Sequence, residues 1–317
     1  MNNNRHMDLE TFAECVLQTL QQKLPHINIQ LVNKPVENDE PMPLLTFTCS
    51  TDNHTVYPAV PVELYYSEYL AGTNLRDLLT RIVLETTAGN DLYQNHLPNF
   101  DNYTIAMDYI TSRIVSATRN TEFLRDRVYR LIPNTDLCYI FELDITQLMA
   151  TPPHQRCNIQ ITNKMLHIWN ISTDELQAVA EHNNPIRHPA KIVYNDEIDT
   201  STEEEADAME QNNMVVVSTT DQIHGFIAVT YSGIADQIRD HFHDDFYILP
   251  SSLHEAICYP KSELSLDRVK ALVYSVNHGK DMHPQCILSD DVFHIKDGQL
   301  TSATHSCPLP PKFFIEP

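Results

Sequence analysis

The sequence predicts an α+β fold of mixed helices and mainly antiparallel sheets, in two subdomains. Three observations carry this. Apolar residues recur at spacings of three and four in some windows and alternate in others. The helical and strand windows do not follow strict βαβ order. One acidic run, residues 195–213, divides two parts that each carry both patterns. A hydrophobic content of 42% supplies a core for a chain of 317 residues.

Residues 8–24 give the clearest helix, with Leu9, Phe12, Ala13, Val16, Leu17, Leu20 and Leu24 on one stripe. Asp8 caps it and Pro25 follows its end. Ile27, Ile29 and Leu31 alternate, as do Leu45, Phe47 and Cys49, which predicts a hairpin across the polar stretch 33–43. Pro58 and Pro61 suit 55–63 to an edge or a bend. Tyr65, Tyr66 and Tyr69 fall in a short helical segment ending at Gly72, and Asn74 caps the next helix, 74–83.

Ile105, Tyr109, Ile110 and Ile114 predict a helix over roughly 102–118. Val128–Ile132 and the apolar Leu137–Ile145 read as strands. Ser172-Thr173-Asp174-Glu175 is a capping box, opening a helix that Pro185 is expected to close. Beyond the acidic run, Met214–Val217, Phe226–Val229, Phe246–Leu249 and Val292–Ile295 read as strands. Ile234, Ile238 and Phe242 define one helix, and 264–277 another. The predicted organisation is an N-terminal part over 1–194, an acidic linker over 195–213, and a C-terminal part over 214–317.

Composition narrows function by exclusion. Asp and Glu number 43 against 21 Lys and Arg, for a formal charge of −22. Such a surface repels phosphate backbones and anionic headgroups, so direct nucleic-acid or membrane binding is not expected. No apolar run reaches the length of a transmembrane helix, and the first residues carry no signal-peptide core. The seven Cys form no Cys-x-x-Cys pair, which suits a reducing cytoplasm. The six Gly nowhere take the spacing of a phosphate-cradling loop, so no nucleotide cofactor is expected.

The stretch Phe246-Tyr247-Ile248-Leu249-Pro250-Ser251-Ser252-Leu253-His254-Glu255 is the most distinctive. With Pro61–Tyr66, Tyr69, Gly72, Arg130–Ile132, Leu166–Trp169, Asp174–Leu176, Ala180, Asn183, Gly225 and Leu288–Asp290, it resembles an uncharacterised family of Gram-positive gut bacteria. That family is a domain of unknown function common on integrative conjugative elements. The resemblance implies a bacterial, mobile-element setting and brings no established activity. A fainter similarity, in the Trp-containing turn and the isoleucine-rich strand, is to a second uncharacterised Gram-positive family.

Two constellations could carry chemistry. Ser252, His254 and Glu255 suggest a nucleophile, a base and a carboxylate. On a strand, however, Ser252 and His254 would sit about 6.5 Å apart, beyond hydrogen-bond reach. Ser252-x-x-Glu255 also reads as a capping box at a helix start. His241, His243 and Asp245 are the densest metal-like cluster, and His241 and Asp245 would meet if the helix continued that far.

The leading expectation is a non-enzymatic accessory protein of a mobile element or its host, acting by binding another protein. Its partner would be basic, and one form is antagonism of a DNA-binding protein. The alternative is a hydrolase built on His254 and Glu255, with or without a metal.

Overall fold

A computed structural model describes residues 7–50, 55–56, 59–149, 156–194, 213–279 and 282–304. The chain divides into two compact units, Met1–Ala106 and Met107–Pro317.

The first unit opens with helix α1 (Leu9–Lys23), whose first turn is capped by the Asp8 carboxylate accepting from Thr11 N–H. The stripe read from the sequence is buried, with Phe12, Ala13, Val16 and Leu20 at its centre. Strands β1 (Ile29–Val36) and β2 (Asp39–Phe47) form the expected hairpin, with Ile29 opposite Phe47 and Leu31 opposite Leu45. The short β3 (Cys49–Ser50) and β4 (Thr55–Val56) pair with each other, and β5 (Ala59–Pro61) adds to β2. Helices α2 (Val62–Leu70) and α3 (Leu75–Asn95) close the core, where Phe12 stacks on Tyr69 with ring centroids 5.3 Å apart. The one-turn α4 (Tyr103–Ala106) ends the unit.

The second unit corrects the helix expected over 102–118. Met107–Tyr109 is a 3-10 turn, and Ile110–Ser116 is strand β6 with all seven residues buried. Positions four apart share a face in a helix and in a strand alike, so Ile110 and Ile114 could not decide between them. Pairing decides: β6 meets β8 (Leu137–Asp144) over seven positions, from Ile110 opposite Leu143 to Ser116 opposite Leu137. Between these strands lie α5 (Thr121–Leu124) and β7 (Tyr129–Leu131), and β9 (Asn158–Gln160) also pairs with β8.

Helix α6 (Asn163–Trp169) leads to α7 (Thr173–Arg187). The predicted capping box is present: Ser172 Oγ accepts from Glu175 N–H, and the Glu175 carboxylate accepts from Ser172 N–H at 2.8 Å. Pro185 does not end this helix. Its last turn is closed by His188 N–H donating to the Asn184 carbonyl at 2.8 Å. Proline forfeits only its own bond, and the turn beyond it is satisfied.

Strands β10 (Ala190–Tyr194), β11 (Val215–Thr219), β12 (Phe246–Pro250), β13 (Glu255–Pro260), β14 (Phe293–Lys296) and β15 (Gln299–Ser302) build a sheet in the order β10-β11-β13-β12-β14-β15. Every pairing in it is antiparallel. Two helices also belong to this region, α8 (Ile234–Phe242) and α9 (Leu266–Asn277). Gly225–Thr230, expected as a strand, is a 3-10 helix whose first five residues are buried. Its apolar run is compatible with either form, and length alone does not separate them. The acidic run, apart from Asn213, lies outside the described residues, as does the Pro308–Pro311 tail.

The acidic run falls inside the second unit rather than between units. Ile114, Ile132 and Leu137 on one side of it share a buried core with Val215, Val217, Ile248 and Phe293 on the other. The strands that flank it, β10 and β11, also pair with each other. A boundary cannot stand where one core is made from both sides.

Two bonds fix the pairing phase of the larger sheet. Thr220 N–H donates to Pro189 O, which makes that pair the hydrogen-bonded kind. Alternation then gives bonded pairs at Lys191/Ser218 and Val193/Val216, while the peptide groups of Ala190 and Ile192 point away from β11. Lys261 N–H donates to Asp245 O, so Pro260/Phe246 and Pro250/Ala256 fall in the non-bonded class. Proline is therefore harmless at both places to the β12–β13 ladder, because neither position donates to it.

This phase makes a stability prediction. Lys191→Pro deletes a ladder donor and should lower the urea midpoint markedly, by about 3 kcal/mol in unfolding free energy. Ile192→Pro spares the ladder, losing an outward donor and part of the Ile192 contact with the core, and should cost less. Equal losses would show the phase to be wrong.

Candidate functional site

The distinctive segment is a hairpin. Strand β12 runs into the turn Ser251–His254, and Glu255 opens β13. The helix expected to start at Ser252 is absent, because Glu255–Pro260 pairs with β11 on one side and β12 on the other. A cap contributes about 1 kcal/mol, and a central strand with two partners outweighs it. Ser252 serves the turn instead, its Oγ accepting from His254 N–H at 3.0 Å.

The three candidate catalytic residues are neighbours without a catalytic arrangement. The Ser252 hydroxyl meets the His254 backbone, not its ring. The ring Nδ1 of His254 accepts from His224 N–H at 3.2 Å. A neutral His254 ring therefore carries its proton on Nε2 and presents a donor there. Glu255 accepts from Ser251 Oγ at 3.0 Å.

The loop that supplies the His224 amide is tightly determined. Gln222 and His224 both sit in the left-handed region, at φ 59° and 47°. Asp221 accepts from Thr219 Oγ1 at 2.7 Å and from Ile223 N–H. Gly225 follows where no side chain fits: a Cβ there would collide with Ser218 Oγ and the His254 carbonyl. This close approach accounts for a glycine in an otherwise apolar run.

Beside this loop an open groove of ≈ 300 Å³ lies on one face of the sheet, lined by Lys191, Val193, Val216, Ser218, Gln222, His254 and Glu255. The register arranges the lining in rows. Lys191, Ser218 and Glu255 cross three adjacent strands, and Val193, Val216 and Ile257 form the next row. Further along the same face Leu249, Tyr247, Ile257 and Tyr259 pack with Val269 and Val273 of α9. Ser218 Oγ donates to the His254 carbonyl at 2.7 Å, so this small side chain lies down and leaves the floor low.

A buried charge network extends from the same loop. Arg113 Nε lies 3.2 Å from Glu142 Oε2, Arg127 Nη1 3.6 Å from Glu142 Oε1, and Asn158 Nδ2 donates to Glu142 at 2.8 Å. Arg156 grips Asp221 with two bonds of 2.7 and 2.8 Å. Arg187 Nε pairs with Asp144 at 3.1 Å, and the buried His188 ring lies between Asp144 at 3.4 Å and Asp221 at 3.6 Å.

Burial raises the Glu142 carboxyl, but Arg113 and Arg127 outweigh it and hold the group below the ordinary carboxylate range. Burial likewise opposes ionisation of Asp221, yet the bonds from His188 and Arg156 push it far below that range. His224 is part-exposed as a residue, but its Nδ1 is buried without a partner among the described residues. Burial first, then the charges of Arg113 and Arg156, drive its pKa well below the imidazole value.

The expected metal cluster is not assembled. Helix α8 ends at Phe242, and His243 turns the chain in the left-handed conformation at φ 53°. The helical relation that would bring His241 to Asp245 is thereby lost. His241 packs on Tyr194 with centroids 4.5 Å apart, while Asp245 pairs with Arg239 and Lys261. Among the described residues no three His, Cys, Asp or Glu side chains gather as a metal-holding group. Nor is any helix among them long and apolar enough to cross a membrane.

Sequence reasoning missed Lys191, Gln222 and the arginine network, because their partners lie tens of residues away. The chain belongs to DUF5688, a family of unknown function whose model matches residues 9–296. This bears out the resemblance to a family without an assigned activity. No curated protein and no solved structure matches the chain.

Two measurements follow from the network. A group whose folded pKa is depressed stabilises the fold above its unfolded pKa and loses that contribution as pH falls. His224, held well below the ordinary imidazole value of 6.5, should therefore make stability decline from about pH 6.5 downward, by up to about 1.4 kcal/mol per pH unit. The carboxylates add their loss only below about pH 4. His224→Asn, which tolerates the left-handed backbone, should flatten the upper segment; a flat wild-type profile between pH 7 and 5 would contradict the assignment. Glu142→Gln removes the carboxylate that Arg113 and Arg127 share and should cost about 3–5 kcal/mol in urea unfolding.

Proposed function

We propose that this chain, from a family without an assigned activity, acts by binding another protein, through the open edge of β10. The observation that carries the reading is the ladder phase: the Ala190 and Ile192 peptide groups face the side of β10 that no described strand occupies. An extended segment of a partner can add there as a further strand, its main-chain bonds supplying affinity.

The net charge of −22 favours a basic partner by speeding encounter, so a basic protein such as a DNA-binding one fits. In this reading the chain serves a mobile element or its host as an accessory protein in the cytoplasm. The engagement of the candidate nucleophile and base with backbone groups supports binding over hydrolysis.

The test is capture from nuclease-treated host lysate at low and high salt. Wild-type chain should retain a stoichiometric basic partner, released at 1 M salt, where the screening length is about 3 Å. Ile192→Pro, which keeps the β10–β11 ladder, should lose the partner while remaining folded. Retention by that variant would overturn the edge as the site. Hydrolytic activity abolished by His254→Ala would favour an enzyme instead.

A further inference from the structure

We propose that the groove over β10, β11 and β13 is a binding site for a small zwitterion, a free α-amino acid, held with its carboxylate toward Lys191 and its ammonium toward Glu255. The site lies on the face of the sheet and does not depend on the β10 edge.

The geometry comes from the register. Lys191, Ser218 and Glu255 stand in one row on neighbouring strands, so their side chains leave the sheet on the same face. Strands lie about 4.8 Å apart, which sets the Lys191 and Glu255 backbones about 10 Å from each other. Extended side chains can span that separation, yet within the described residues neither side chain makes an ion pair. Glu255 accepts only from Ser251 Oγ there, and Lys191 is exposed. In a chain with 43 acidic and 21 basic residues, a lysine beside a carboxylate yet unpaired with it is an unused electrostatic opportunity.

A ligand with both charges uses it. With a hydrogen bond of about 2.8 Å to each side chain, one small molecule that carries both charges can bridge them, and an α-amino acid is such a molecule. Ser218 lies between, its hydroxyl folded onto the His254 carbonyl. His254 lies beside Glu255 and lines the groove, its Nδ1 held by the His224 amide. Val193 and Val216 in the neighbouring row give the ligand side chain an apolar floor. A volume of ≈ 300 Å³ stands at the lower end for ligand pockets, which suits a small molecule of this kind.

The experiment is titration calorimetry on the full chain with the common L-amino acids at about 10 mM, a concentration that saturates a millimolar site. Each hit is compared with the amine lacking its carboxylate and the acid lacking its amine. At least one apolar amino acid should bind, and each single-charge analogue should bind at least about 10-fold more weakly. Lys191→Met and Glu255→Gln should each weaken binding by a similar factor while leaving the urea midpoint unchanged. The exchange of Lys191→Glu with Glu255→Lys should recover part of it. Absence of any amino-acid binding, equal binding of an analogue, or indifference to Lys191→Met would each overturn the proposal.

Discussion

The phase in which β11 pairs between β10 and β13 is the constraint on which the rest of the second unit depends. A central strand must spend alternate peptide groups on its two neighbours, so one bond, Thr220 to Pro189, settles all of them. It turns the Ala190 and Ile192 amides outward. It puts Val215 and Val217 into the main core and Val216 and Ser218 onto the opposite face. A slip by one residue would exchange those faces, turning Val216 and Ser218 to the core and Val215 and Val217 to the groove. Gly225 enforces the same phase from outside the ladder, since it accepts the backbone of Thr219 and His254 at a distance that any Cβ would forbid.

The buried charges follow a second rule. Four guanidiniums, Arg113, Arg127, Arg156 and Arg187, meet three carboxylates, Glu142, Asp144 and Asp221, inside a strongly acidic protein. Taking such groups out of water is costly unless each is matched and hydrogen-bonded. The matching here is dense: Asn158 and Thr219 add bonds to Glu142 and Asp221 beyond the ion pairs. The network therefore reads as a device that fixes the strand ends and the loop from Asp221 to His224. Its partners are saturated by one another, which is the opposite of a group poised for chemistry. Tyr231 and His224 are the exceptions, with the Tyr231 hydroxyl and the His224 Nδ1 left buried and unpartnered among the described residues.

Much of the fold was legible because its signals were local. The stripe of α1, the capping box at Ser172 and the apolar run of β8 each depend on residues within one element. The failures came where two structures share a pattern. Ile110 and Ile114 lie on one face of either a helix or a strand, and the β8 partner that chose the strand begins at Leu137. Ser252 and Glu255 satisfy a capping rule, yet Glu255 finds Ser218 across the sheet. The site was legible at His254 and Glu255 alone. Lys191 and Ser218 carry no motif and become meaningful only once the register sets them beside Glu255.

The acidic surface also bears on what the groove can hold. A net charge of −22 sets up a negative potential that works against a free carboxylate reaching Lys191 and in favour of a bare cation reaching Glu255. A neutral zwitterion gains or loses little from that field as a whole. It responds to the local gradient between Lys191 and Glu255, which acts over less than a Debye length and survives physiological salt. The two charges, which make no ion pair among the described residues, therefore favour a ligand that carries both signs. A long-range field that attracts basic macromolecules and a short-range pair that recognises a dipolar ligand can coexist on one chain without competing.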